Sequence, residues 1–184
     1  HRIFGSYIPP VDSPYCDETD FSEIANVFTP VNSSHVIIGG GDLNARVGNI
    51  MQKLPFDNCK YRQNVDITVN DYGRTLKKIC VSVKFYVINN LNIGTKILDG
   101  GFTFEKGNRM SQNDLLLANE KGLIAIKNFK IHDIVANPSD HKPISTEFEI
   151  NTFDDCIAVY ASHDILSDQS ISNIRRKPKQ IKDK

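Results

Sequence analysis

The sequence has no excess charge of either sign, since 22 Lys and Arg balance 22 Asp and Glu. A chain that holds nucleic acid by bulk attraction is strongly basic, so this one has at most a local basic rim for that purpose. It has no CxxC pair. Cys16, Cys59, Cys80 and Cys156 lie far apart, which argues against a structural zinc site and for a reducing compartment. No apolar run approaches the ~20 residues that span a bilayer. No secretory signal is recognisable, so the Asn32-Ser33-Ser34 sequon is read as chance, and an intracellular location, nuclear or cytoplasmic, is expected. There is no internal repeat.

What is present suits one domain with a real core: 184 residues, 40% of them apolar. The chain reads as a strand from its first residues, the pattern expected of a piece of a longer protein. That strand covers 2–8 and is stopped by Pro9-Pro10, which cannot continue a ladder. Asp20 and Glu23 resemble a capping box, and Phe21, Ile24, Ala25 and Phe28 keep helical spacing as far as Pro30. A short apolar strand follows at 35–40. Residues 49–70 show no period and read as loop. Asn70-Asp71 caps a helix with Leu76, Ile79, Cys80 and Val83 on one face. Further strands are expected at 85–88, 102–104, 113–118, within 124–135, and at 143–150. Residues 1–150 form the expected domain. The polar, basic residues 151–184 read as a linker or tail.

Polar residues interrupt this apolar pattern where strands end, and each has two readings. Gly41-Asp42-Leu43-Asn44 is either a turn or a carboxylate and an amide aimed by a buried strand. Ser139-Asp140-His141, held between Pro138 and Pro143, is either a rigid turn or a metal-binding carboxylate beside an imidazole that donates to negative charge. Asp114 opens the apolar run DLLLA, where a carboxylate without a partner costs several kcal/mol, roughly. It is either at a strand start or paired with a histidine, whose tautomer it would fix. Carboxylates, an amide and an imidazole at strand ends suit metal-assisted attack of water on a phosphoester.

In order, TyrIleProPro, GlyAspLeuAsn, AspTyrGlyArgThrLeu, PheThrPhe, SerGlnAsnAspLeuLeuLeu and SerAspHisLysPro resemble the C-terminal part of the endonuclease/exonuclease/phosphatase superfamily. Within it, the chain is most similar to the endonuclease domain of non-LTR (LINE-type) retrotransposons. The resemblance covers about residues 3–150. It implies an α+β fold, a four-layer α/β/β/α sandwich with the site at one end of the paired sheets, here without its N-terminal portion. It implies that Asp42 activates the attacking water and that Asn44 and Tyr7 contact the phosphate. Asp114 would hold His141, His141 would stabilise the transition state, and Asp140 would be the metal ligand or lie close to the metal. Ser139 would support the motif. Thr103 would lie near the DNA surface, and Arg109, in the basic Lys106-Gly107-Asn108-Arg109 loop, would contact substrate. The implied cofactor is Mg²⁺, with Mn²⁺ as a substitute. The implied partners are DNA and a fused or lost reverse-transcriptase domain. The family's metal-binding Glu belongs to an earlier strand, and neither Glu18 nor Glu23 replaces it in context. These 184 residues are therefore expected to be inactive alone. The same fold also serves phosphatases and exonucleases. A non-catalytic retroelement remnant or binding module is the reading from another class.

Overall fold

The computed structural model describes residues 2–16, 20–28, 35–50, 52–133 and 139–149. The expected tail at 151–184 and the stretch around Pro30 lie outside them. The organising element is a four-stranded sheet. It contains β1 (Arg2–Gly5), β2 (Ile37–Asp42), β4 (Phe85–Val87) and β9 (Asp114–Asn119), in the order β1-β2-β9-β4. β1 runs parallel to β2, whereas β9 is antiparallel to both β2 and β4.

The period-2 geometry of strands sends alternate side chains to opposite faces, and both faces here are apolar. Ile37, Leu115, Leu117, Phe85 and Val87 enter one core with Leu76 and Cys80 of helix α2 (Asp71–Val83) and Phe21 and Ile24 of helix α1 (Asp20–Phe28). Ile38, Leu116, Ala118 and Ile88 enter a second core. That core packs against two smaller sheets. One is built from β3 (Cys59–Tyr61), β5 (Leu91–Ile93) and β6 (Lys96–Ile97). The other pairs β10 (Ile126–Ile131) with β11 (Ile144–Phe148). Helix, sheet and sheet thus stack in the α/β/β order of the expected sandwich. Helix α3 (Glu120–Ala125) contributes Leu123 to the second core. A hairpin of β7 (Phe104–Lys106) and β8 (Arg109–Ser111) completes the described elements.

Two local features set the site. At Gly40 a Cβ would meet the Leu115 carbonyl oxygen at 1.9 Å, so β2 and β9 approach as only glycine allows. The second is Asn70, the predicted cap of α2. Its Oδ1 accepts from the Gly73 N–H at 2.8 Å and also from the Arg46 N–H at 2.9 Å, while its Nδ2 donates to the Asn44 carbonyl at 2.8 Å. One side chain starts the helix and fixes the loop that follows β2.

Boundaries differ from expectation in physically sensible places. The first strand stops at Gly5, although Ser6 and Ile8 still donate to the Gly40 and Asp42 carbonyls. Residues 102 and 103 precede β7 instead of forming a strand. The stretch from 124 begins with the end of α3, not with a strand.

Candidate functional site

β2 and β9 place Asp42 and Asp114 directly opposite each other in register. Opposed residues of an antiparallel pair lie about 4.5–5.5 Å apart at Cα, so the sheet itself sets the spacing of the two carboxylates. His141 reaches both. Its Nδ1 lies 2.9 Å from Asp114 Oδ2, and its Nε2 lies 3.8 Å from Asp42 Oδ2. The side chains are 24% exposed for His141, 14% for Asp42 and 8% for Asp114. An ionised carboxylate only accepts hydrogen bonds, so Asp114 fixes the proton on Nδ1 and leaves Nε2 for the Asp42 side. The 3.8 Å gap is too long for a direct hydrogen bond, and one oxygen atom can bridge it at hydrogen-bond distance from each side.

Asn44 takes a left-handed backbone, φ 47°, just after the strand. Its N–H donates to Asp42 Oδ1 at 3.1 Å, and its side-chain Nδ2 donates to the Ile8 carbonyl at 2.8 Å. Ile8 in turn donates its N–H to the Asp42 carbonyl. Tyr7 is therefore carried beside Asp42, with its side chain mostly exposed. Partial desolvation, and then the Asp42 charge, hold its phenol above the ordinary tyrosine value.

The other expected residues separate from this centre. Asp140 is 45% exposed and pairs through Oδ2 with Lys106 Nζ at 2.8 Å. Ser139 is exposed and accepts from the His141 N–H at 3.1 Å. Arg109 is exposed on β8, next to the Gly107-Asn108 turn of the hairpin. Thr103 needs a correction: expected near the substrate surface, it is fully buried. Its Oγ1 accepts from the N–H groups of Asn113 and Asp114, at 3.1 and 3.0 Å. It supports the start of β9 from below.

The hairpin and the His141 loop form one unit. Glu105 donates its N–H to the Asp140 carbonyl at 2.8 Å, and Lys142 donates its N–H to the Thr103 carbonyl at 2.7 Å. The Phe104 ring meets the His141 ring edge-on, with centroids 5.1 Å apart. The Lys142 side chain joins Glu105 and Asp133 at 2.7 and 2.6 Å.

A further support was not predicted. Arg46 clamps Asp66 through two bonds, of 2.8 and 2.7 Å, and Asp66 Oδ2 accepts from the Gln112 N–H at 2.9 Å. Asn64 donates to Gln112 Oε1 at 2.9 Å. Burial would push the Asp66 carboxyl up. The hydrogen bonds from Arg46, Gln112 and Thr68 outweigh it and hold the carboxyl below its ordinary value. A depressed folded-state value gives stability that is complete above about pH 3.9 and is lost as pH falls through the folded value. Asp66→Asn should therefore cost about 2 kcal/mol at pH 7, less than a fully buried pair because Arg46 keeps access to water. The gap between wild type and variant should narrow below about pH 4. Urea unfolding at pH 7 and pH 3 checks this, and an unchanged gap would contradict it.

Among the described residues, no three His, Cys, Asp or Glu side chains converge as a metal-binding group. A hard divalent cation takes about six oxygen ligands, so these residues supply at most part of such a shell.

No family model and no curated protein matches the chain. Among solved structures, the endonuclease domain of TRAS1, a telomere-specific non-LTR retrotransposon, matches with a TM-score of 0.53 at 20% identity, over 80% of this chain and 57% of that one. The 3'-5' exonuclease NExo from Neisseria meningitidis matches with a TM-score of 0.50 at 15% identity, over 80% of this chain and 61% of that one. The chain spans less than two thirds of either structure. It shares the fold of the endonuclease/exonuclease/phosphatase proteins, as the order of its motifs implied.

Proposed function

We propose that a chain with this fold carries the Asp42, Asp114 and His141 part of a phosphodiester-hydrolysing site, that its substrate is DNA, and that the product is a nick. The observation that supports the reading most is the register pairing of Asp42 with Asp114, with one imidazole reaching both carboxylates.

In this reading Asp42 accepts a proton from a water molecule near the gap. The water oxygen bonds to phosphorus, and the bond from phosphorus to the leaving deoxyribose oxygen breaks. That oxygen keeps the electron pair and takes a proton from solvent. The imidazolium form of His141 donates its Nε2–H to a non-bridging phosphate oxygen as negative charge grows there. Asp114 stabilises that charged ring and holds its orientation. Tyr7 keeps its proton at neutral pH, so its phenol can donate to the phosphate. Asn44 already gives one side-chain N–H to Ile8. A second N–H remains to orient the water or the phosphate.

The reading includes Mg²⁺ or Mn²⁺, with Asp140 as the ligand from this chain. Asp140, which pairs with Lys106 here, would hold such a cation, and the cation would supply positive charge beside the phosphate. Lys106 and Arg109 would form the basic rim, whose phosphate contacts make DNA binding salt-dependent. A reverse-transcriptase domain in the same protein belongs to the same proposal.

The test is nicking of supercoiled plasmid with Mg²⁺ or Mn²⁺. It is run on the 184 residues alone and on the product of the reading frame that encodes them. The frame product is expected to nick, and Asp42→Ala to slow it by about 10²-fold or more. No nicking by that product, or nicking indifferent to Asp42→Ala, would overturn the nuclease reading. The 184 residues alone are expected to be inactive. Robust nicking by them would show that no outside carboxylate is required.

A further inference from the structure

β4 does not run the full length of β9. Its last ladder contacts are Val87 opposite Leu117 and the Ile88 N–H on the Leu116 carbonyl, at 2.8 Å. Beyond them, the Leu116 N–H and the Asp114 carbonyl on that side have no strand residue to meet. Asn89, only 3% exposed, fills the place with its side chain. Its Oδ1 accepts from the Leu116 N–H at 2.9 Å, and its Nδ2 donates to the Asp114 carbonyl at 3.1 Å. A primary amide presents one acceptor and one donor side by side, as a strand presents its C=O and N–H. Asn89 is thus a substitute rung of the ladder, set at the residue whose carboxylate holds His141.

The remaining contacts of Asp114 show why this matters. Its N–H goes to Thr103 Oγ1, and its Oδ2 faces His141 Nδ1. Its carbonyl is secured by Asn89, a side chain that comes from beyond the end of β4. Asp114 is also the first residue of its strand, where a ladder frays most readily. We propose that Asn89 is a positioning residue for the Asp114–His141 pair, acting through the backbone of β9 without touching substrate. The catalytic consequence rests on the function proposed above; the positioning itself does not.

Asn89→Asp is the sharpest variant. It keeps the size and the acceptor for Leu116, but turns the donor facing the Asp114 carbonyl into a repelling oxygen. Asn89→Ala removes both bonds. Asn119→Ala is the control. Asn119 is a buttressing asparagine at the far end of the same strand, bonded to the N–H groups of Ile37 and Gly122. The first readout is the NMR signal of the His141 Nδ1 proton, which its bond to Asp114 shifts downfield, together with exchange of the Leu116 amide. The second is the split of kcat from KM in plasmid nicking by the full reading-frame product.

Both Asn89 variants should lose or move the His141 signal. They should lower kcat by about 10²-fold, the cost of misplacing a group by about 1 Å, and leave KM within about twofold. Asn119→Ala should change neither readout while lowering stability. If Asn89→Ala does not fold, Asn89→Asp carries the test alone. An unmoved His141 signal in folded Asn89→Asp overturns the proposal. So does a moved signal with unchanged kcat in an active protein. If the wild type nicks nothing, the nuclease reading fails, and the NMR arm still decides the role of Asn89.

Discussion

On the proposed function, His141→Ala in the full reading-frame product is expected to slow DNA nicking by about 10³-fold, within the range of a positioned acid or charge-stabilising donor, with DNA affinity nearly unchanged. The geometry makes the loss this large. One ring joins two carboxylates that sit on different strands, at 2.9 Å on one side and 3.8 Å on the other. Alanine removes the imidazole that, in the proposed reading, donates to the phosphate. It also strands Asp114, a carboxylate with 8% exposure, and an unpaired buried charge costs a few kcal/mol, about 3–5 when its partner is removed. The variant must therefore be shown folded by circular dichroism before its rate is read. His141→Asn is a useful companion, since it can keep a donor toward Asp114 without an imidazole to charge. Single-turnover nicking rates decide the matter. A loss below tenfold in a folded His141→Ala protein would remove His141 from the chemistry.

The second large effect is on folding. Gly40→Ala should destabilise the protein by about 3 kcal/mol or more, placing it among the most damaging single substitutions. The added carbon would lie 1.9 Å from the Leu115 carbonyl oxygen, 2.9 Å from its carbonyl carbon and 3.0 Å from Leu116 Cα. All three are backbone atoms of the neighbouring strand, so no side chain can swing aside. β2 and β9 would have to separate in the middle of the sheet that both cores share. With total stabilities of about 5–15 kcal/mol, much of the population would unfold. Urea unfolding measures this directly, and a midpoint close to wild type would mean that the strands yield far more easily than packed backbone should.

The parts of the fold that were legible in the sequence are those whose cause is local. Helix α2 announced itself through Leu76 and Cys80 at i, i+4 and through a capping asparagine, and both operate as expected. Strands β2 and β9 were readable as short apolar runs because both of their faces are buried. Helix α3 was missed because six residues are too few to display a helical period. Its one signal was Asn119, which accepts from the Gly122 N–H as an N-cap. Strands β3, β5 and β6, of two or three residues each, lie below the length at which alternation can be seen.

The site shows the same division. Asp42 and Asp114 could be named because one ends and the other opens an apolar run, His141 because two prolines frame its loop, and all three because the order of the motifs resembled a known family. Their supports could not. Asp66 reaches Gln112 across 46 positions, and Asn89 reaches Asp114 across 25. No local pattern marks an asparagine or aspartate that will meet a distant backbone group. Thr103 was named for the wrong reason, since its motif says nothing about which way a small hydroxyl faces. Buried polar residues bonded to main chain, Asn64, Asp66 and Gln112 among them, are where sequence reading gave out.

The register of Asp42 against Asp114 also governs how the site is lost. A site assembled from loops can melt while its scaffold stands, because loops open at little cost. Here the two carboxylates are neighbours across the central pairing of the main sheet, flanked by fully buried Leu115 and Leu117. Separating them means fraying the end of that ladder, which Asn89 and Thr103 hold at the Asp114 backbone. His141 comes from the loop before β11, so in rising denaturant its contact with Asp114 should be lost no later than the pairing of β2 with β9.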